Sequence, residues 1–371
     1  MSPPAVPMLT LVPRRESASR VIAGPILHLV TSRSSALRLA PLASELRDRG
    51  VEQAVLDPSS PLERLELPPL DRMPTAAGPD QTADAMAIVE AHVSDSRPAG
   101  VVVAGDSDLA LACALAALKL GVPVVRLGAG LRCRDWALRE EMNRHLLDAL
   151  AELLLADHSE AGDTLVAAGV PADRIRVVGS TLADLALSNQ EAAAARTPWK
   201  RFGLARESYV LLTLHRRENL GSPAQIKRIV DAIVALSEKS PVIFVLHPRT
   251  REALEPLGAL RRLKLAGVVF SDPLGYLDFL GLEAGSCAVV TDSGGVQEET
   301  TTLGVPCFTL RATTERVATL IEGTNVLLGE DPVDIASVWL AAHNPPSAVP
   351  HWDRHVRVRA VDAILTWAGA R

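Results

Sequence analysis

Aromatic residues make up only 3% of this 371-residue chain, while 48% of its residues are hydrophobic. Its cores must therefore be aliphatic, built from Ala, Leu and Val. No apolar run approaches the ~20 residues of a membrane span, so a bilayer-crossing helix is not expected. Basic runs are missing as well, and the formal net charge is −6. That balance excludes the positive footprint of a nucleic-acid binder, although a few converging arginines can still hold an anionic ligand. The four cysteines, Cys113, Cys133, Cys287 and Cys307, include no CxxC spacing. Cys113, Cys287 and Cys307 lie in apolar runs, which fits reduced thiols in a cytoplasmic protein better than disulfides or zinc. Residues 1–24 contain Pro and Arg but no sustained apolar stretch, and read as a flexible lead rather than a signal peptide. There is no GxxxxGK[ST] loop and no complete GxGxxG fingerprint; GAGLRC, starting at Gly128, lacks the last glycine. His, Asp and Glu show no metal-ligand spacing, so neither a metal nor another cofactor is expected.

What the chain does contain is a regular alternation of short apolar runs and helical patterns. Strands are expected at 26–31, 52–56, 100–104, 122–127, 153–156 and 175–178. Six more follow at 209–214, 242–246, 268–270, 288–291, 305–310 and 325–328. Helical patterns separate most of them, notably at 109–120 and 140–149. A further helix opens at Ser222-Pro223 with Gln225 in capping-box position. Continuous apolar strands alternating with helices indicate parallel sheets covered on both faces. The length suits two domains. The fold class is α/β: two Rossmann-like domains, 25–187 and 199–345, facing each other across a cleft. The polar, Ala-rich stretch 188–198 reads as their connector. A last helix at 356–368, within 351–371, is expected to pack back on the first domain. In such sheets ligands sit at the carboxyl ends of the strands.

One string concentrates the polar residues: VVTDSGGVQEETTTLGVPCFTLRATTER, 289–316. A strand running into Ser293, Gly294 and Gly295 at a helix start aims free N–H groups and the positive end of a helix dipole at one point, which suits a phosphate. Glu298 and Glu299, one turn inside, are within reach of sugar hydroxyls. The next strand ends near Thr313, Thr314, Glu315 and Arg316, which offer hydroxyls and a guanidinium for the same anion. Other strand ends carry polar groups of their own. Arg33, with Arg38 beyond it, reads equally as a phosphate contact or a solvated loop residue. Asp106 is a base, an orienting group or simply a helix cap. Glu140 and Arg144 share a helix face and read as a surface pair or as part of the site. His215, between a strand end and two arginines, has no packing role, and those charges favour its neutral form unless Glu218 offsets them.

With these residues assembled, the chain resembles the non-hydrolysing UDP-N-acetylglucosamine 2-epimerases, which share the GT-B-like architecture of two Rossmann domains. The resemblance spans about 26–329. Its most specific marks are LLTLHRREN (211–219), TDSGGVQEE (291–299) and RATTER (311–316); VVVAGD, GAGLR, EEMNR and LRLAPL support them. It implies a UDP-sugar substrate, no cofactor, a homodimer, and removal of the C2 proton with loss of UDP from C1 to give a 2-acetamidoglucal, then re-addition. It also implies roles by position. Arg33, Arg38, Arg144, Ser293, Gly294, Gly295 and Arg316 would bind the substrate, mainly its diphosphate. Glu299 would hold the ribose hydroxyls and Phe279 would lie near the uracil. Asp106, Glu140 and His215 would be the catalytic groups. The chain departs from the pattern at Gly128, where VEAGLR would supply a catalytic glutamate, and at Ser34, Ser35, Leu274, Val317 and Ala318. A QHR-type segment, which in bacterial members belongs to an allosteric UDP-GlcNAc site, is missing around 57–60. Because of Gly128, two alternatives stay open: an NDP-sugar hydrolase or glycosyltransferase-like enzyme, and a nucleotide-sugar-binding protein with impaired catalysis.

Overall fold

The computed structural model describes residues 24–57, 82–340 and 348–369. The N-terminal lead up to residue 23 and residues 58–60 of the missing activator segment lie outside the described residues. The first lobe runs β1 (Ile26–Leu29), α1 (Arg33–Asp48), β2 (Gln53–Leu56), α2 (Thr82–Ser96), β3 (Gly100–Ala104), α3 (Asp108–Lys119) and β4 (Val124–Ala129). It continues through α4 (Arg139–Leu150), β5 (Leu153–Ala156), α5 (Ser159–Ala167), β6 (Ile175–Val177) and α6 (Thr181–Ala195). The second lobe begins with β7 (Val210–Thr213), α7 (Arg217–Leu220), α8 (Pro223–Ser237), β8 (Val242–Val245), α9 (Pro248–Leu254), α10 (Ala259–Leu265) and β9 (Val269–Ser271). It ends with α11 (Tyr276–Gly285), β10 (Ala288–Thr291), α12 (Gly294–Leu303), β11 (Cys307–Thr309), α13 (Val317–Ile321) and β12 (Asn325–Leu327), and α14 (Val356–Ala368) follows.

Each lobe holds one six-stranded sheet, in the orders β2-β1-β3-β4-β5-β6 and β12-β11-β10-β7-β8-β9. Every pairing is parallel. The uninterrupted apolar runs follow from this: helices cover both faces, so successive residues are buried on opposite sides. Val102 and Ala104 join one core cluster while Val101 and Val103 join another. In the second lobe Val210 and Leu212 divide from Tyr209 and Leu211 in the same way.

Two local readings need correction. The stretch 188–198 is not a connector over most of its length, because α6 continues to Ala195. Alanine is the strongest helix former, and the polar residues here lie along the helix, with Ser188 donating to Asp184 and Asn189 to the Leu185 carbonyl. Ser222 does cap α8, but Gln225 donates to the Glu330 carbonyl instead of closing the reciprocal box. Helix α6 is central to how the lobes meet. Its Leu182, Leu185, Ala186 and Ala193 share a core cluster with Tyr276 and Leu280 of α11. Helix α14 joins that cluster through Ala360, Val361 and Ile364, and Arg357 is paired to Asp184 of α6.

The segment leading into α14 passes so close to Gly179 that a Cβ there would lie 2.0 Å from the His351 carbonyl oxygen, at a φ of +98°. Gly179→Ala is expected to destabilise the protein by at least ~2 kcal/mol, read as a lowered midpoint in urea unfolding. An unchanged midpoint would contradict this packing.

Candidate active site

The carboxyl ends of β1, β3, β4 and β5 in one lobe and of β7 and β10 in the other converge on a single cluster of charge. Helix α12 starts directly after β10. Ser293, its N-cap, makes no side-chain cap bond, so the first N–H groups of the helix keep their capacity to bind an anion. A Cβ on Gly294 would lie 2.5 Å from Glu315 Oε1 and 3.5 Å from Arg316 Nε. One on Gly295 would be 3.4 Å from Leu182 of the first lobe. The glycines therefore let the Arg316 loop and the opposite lobe close around the helix start.

Glu298 lies one turn inside α12 and is fully buried. Its carboxylate accepts from Arg38 Nη1 and Nη2 at 2.9 Å each and from Ser180 Oγ at 2.6 Å, and it pairs with Arg316 at 2.5 Å. Burial alone would raise its pKa; Arg316, Arg38 and Ser180 outweigh that and hold it below the usual range. The expectation that Glu298 reaches a sugar hydroxyl is corrected: its three partners, Arg38, Ser180 and Arg316, leave it bracing the two lobes. Arg38 is thereby engaged at the brace. Arg316 also donates to Asp157 at 3.0 Å and lies 3.5 Å from Glu315, which pairs with Arg311 at 2.8 Å. Burial would raise Glu315 too, yet Arg311, Arg144, Arg316 and Arg216 hold it well below the carboxylate range.

Arg144 is buried rather than on the surface, and its partners are Asp106 and Glu141 (2.7 Å), not Glu140. Glu140 is half-buried one position earlier on α4. Asn143 donates to the Asp106 carbonyl and to Asp108, fixing the end of β3. Arg33 crosses the cleft to donate to the Leu274 carbonyl at 2.8 Å. Phe279 and Leu274 each pack against an apolar cluster in the second lobe. Glu299 is buried; burial pushes its pKa up to about 7, with Glu298 adding to the rise and the Tyr276 hydroxyl opposing it.

His215 faces a carboxylate that the sequence reading did not assign. Its Nδ1 is 3.0 Å from Asp292 Oδ1, and Asp292 also accepts from the His215 and Arg216 backbone N–H groups and from Asn219. Burial would raise Asp292, but His215 and these donors hold it at about 2. An ionised Asp292 orients the ring by accepting from Nδ1; in the neutral imidazole that places the proton on Nδ1 and leaves Nε2 as the acceptor. A cavity of about 490 Å³ opens beside these groups, lined by Asp135 and Leu138 of the first lobe and by Arg216, Arg311 and Thr313 of the second. No set of three metal-binding side chains occurs among the described residues. Asp157, Ser180 and Asn219 were missed in the sequence; only Asp157, at the end of an apolar strand, carried the same signal as Asp106.

Removing Glu298 leaves two buried guanidinium groups short of a partner. Glu298→Ala should cost ~3–5 kcal/mol of stability and Glu298→Gln less, by urea unfolding. Equal midpoints for Glu298→Ala and the unmodified chain would remove the brace from the account.

Comparison with known proteins agrees with this arrangement. Residues 69–364 match the family described as UDP-N-acetylglucosamine 2-epimerase. The chain is 38% identical over 262 residues to the UDP-N-acetylglucosamine 2-epimerase of Methanococcus maripaludis, covering 69% of this chain and 72% of that one. It is 40% identical over 245 residues to the UDP-2,3-diacetamido-2,3-dideoxy-D-glucuronate 2-epimerase of Pseudomonas aeruginosa, covering 65% and 66% of the two chains. Among solved structures it resembles the Methanocaldococcus jannaschii UDP-GlcNAc 2-epimerase in complex with UDP-GlcNAc and UDP, with a TM-score of 0.81 at 31% identity, over 92% of this chain and 99% of that one. Two Rossmann-like lobes facing each other across a cleft and a match over most of its length make this chain a member of the UDP-N-acetylglucosamine 2-epimerase family.

Proposed function

We infer that the protein is an NDP-hexosamine 2-epimerase that interconverts UDP-N-acetylglucosamine and UDP-N-acetylmannosamine, or a close variant of that pair. The observation that carries this is the convergence of Arg316 and the uncapped N–H groups of α12 on one point in the cleft. The family match supports the same reading. In it the diphosphate lies at Ser293, Gly294 and Gly295, held by Arg316 with Arg33, Arg38 and Arg144 around it. Glu299 takes the ribose hydroxyls and Phe279 flanks the uracil. C2–H of the sugar is a weak acid, so a base must act while the leaving diphosphate is stabilised. Asp106, Glu140 and His215 are the proton-handling groups, with His215 oriented by Asp292. We further propose a homodimer and a cytoplasmic setting; no helix among the described residues is long and apolar enough to cross a membrane.

Gly128 favours a second reading, in which UDP is released by hydrolysis or the sugar is transferred. Incubation with UDP-GlcNAc in D2O separates the two. The epimerase incorporates deuterium at C2 and yields the manno epimer, whereas free UDP with a reducing sugar indicates hydrolysis. Tight binding without turnover would mark a binding protein. His215→Ala should lower kcat by ~10²–10⁴-fold while leaving UDP affinity nearly unchanged. Arg316→Ala should weaken UDP binding ~10–100-fold in calorimetry. Unchanged behaviour in both variants would overturn the site assignment.

A further inference from the structure

Gly128 is the bulged residue where the register of β4 against β5 shifts, and its φ is +73°. It contributes no side chain to the cleft. A Cβ built there would lie 3.7 Å and 3.8 Å from the two carboxylate oxygens of Asp157. Asp157 follows β5, one strand over and next to the same sheet end. Its carboxylate thus occupies the region toward which any side chain at 128 would point. Asp157 Oδ2 accepts from Arg316 Nη1, and no hydrogen bond to Oδ1 is found among the described residues. Arg316 in turn borders Gly294 at the anion seat. A carboxylate and a phosphate that share one guanidinium lie within a few ångströms of each other, and C2 of a bound sugar is two bonds from the oxygen that links it to the diphosphate.

We propose that Asp157 supplies the carboxylate that Gly128 cannot, and that it exchanges the proton at C2 of the bound amino sugar. This rests on the 2-epimerase reading and adds a residue to it. An Asp157 oxygen takes the proton, and the C2–H electron pair becomes the C1=C2 bond. The C1–O pair leaves on the β-phosphate oxygen, where Arg316 and the α12 N–H groups stabilise it. UDP then adds back to C1 while a second acid, His215 or Asp106, delivers a proton to the other face of C2. The two groups exchange protons with solvent and reverse roles in the opposite direction.

The surroundings suit a base working near neutrality. Burial, then Glu298, push Asp157 up to about 6, against Arg316, Arg38 and Arg126. A carboxylate is a base only above its pKa, so C2 exchange should rise with pH through this range.

The test is deuterium incorporation at C2 in D2O, with UDP affinity measured in parallel. Asp157→Asn should lower incorporation at least 10³-fold while UDP affinity changes less than tenfold. Adding Gly128→Glu to that variant moves a carboxylate back into the same region and should recover at least tenfold. Exchange that survives Asp157→Asn overturns the proposal. So does a loss of exchange that only parallels a loss of UDP affinity and is not recovered by Gly128→Glu, since Asp157 would then merely hold Arg316. If the asparagine variant does not fold, Asp157→Ser is read by the same criteria: lost exchange with UDP affinity kept supports the proposal, and surviving exchange overturns it. Absence of exchange in the unmodified protein is a different result, because it removes the epimerase reading itself.

Discussion

A buried carboxylate has to be matched by cations or protons, and Glu298 is where this protein meets that constraint. It sits inside the junction of two lobes, fully excluded from water, and its charge is tolerated because Arg38, Ser180 and Arg316 reach it together. Arg38 and Ser180 belong to the first lobe, Glu298 and Arg316 to the second. The pairing therefore fixes how the two sheets face each other. The start of α12 is then walled by Leu182 of one lobe and Arg316 of the other. Arg316 is shared among Glu298, Asp157 and Glu315, so in the proposed site a diphosphate would compete with three carboxylates for one guanidinium. Coupling between phosphate binding and carboxylate basicity follows from that sharing.

The same logic orders the rest of the cleft. Asp292 collects two backbone N–H groups, the Asn219 amide and His215, and so stays ionised despite complete burial. Among the described residues Glu299 has no comparable set of donors, and burial moves it in the opposite direction. Two carboxylates on or beside one helix thus differ in basicity because of what surrounds them.

Much of the architecture was legible in the sequence. All the strand runs are realised; in the inner strands this follows because a parallel strand buried on both faces writes itself as a continuous apolar run. The clearest failure, at 188–198, came from reading polarity as a break when the alanines of α6 favour helix. The strand–glycine–helix turn at Ser293, Gly294 and Gly295 was also legible, since it follows β10 directly and glycine is demanded at Gly294 by close approach. Pairings across long sequence distances were not. Glu298 with Ser180, or Asp157 with Arg316, depends on how the lobes dock, and residue spacing carries no information about that. Glu140 with Arg144 looked like a helix-face pair, yet Arg144 turns inward to Asp106 and Glu141 because those carboxylates lie in the buried cleft.

The central claim is that a nucleotide diphosphate is held at the start of α12, between the two lobes. A crystal structure of the complex with UDP tests it most directly. The account predicts the β-phosphate within hydrogen-bond distance of the Gly294 or Gly295 N–H and of the Arg316 guanidinium, on the side where Asp157 lies. Nucleotide bound elsewhere, or a diphosphate that leaves Arg316 untouched, would contradict it.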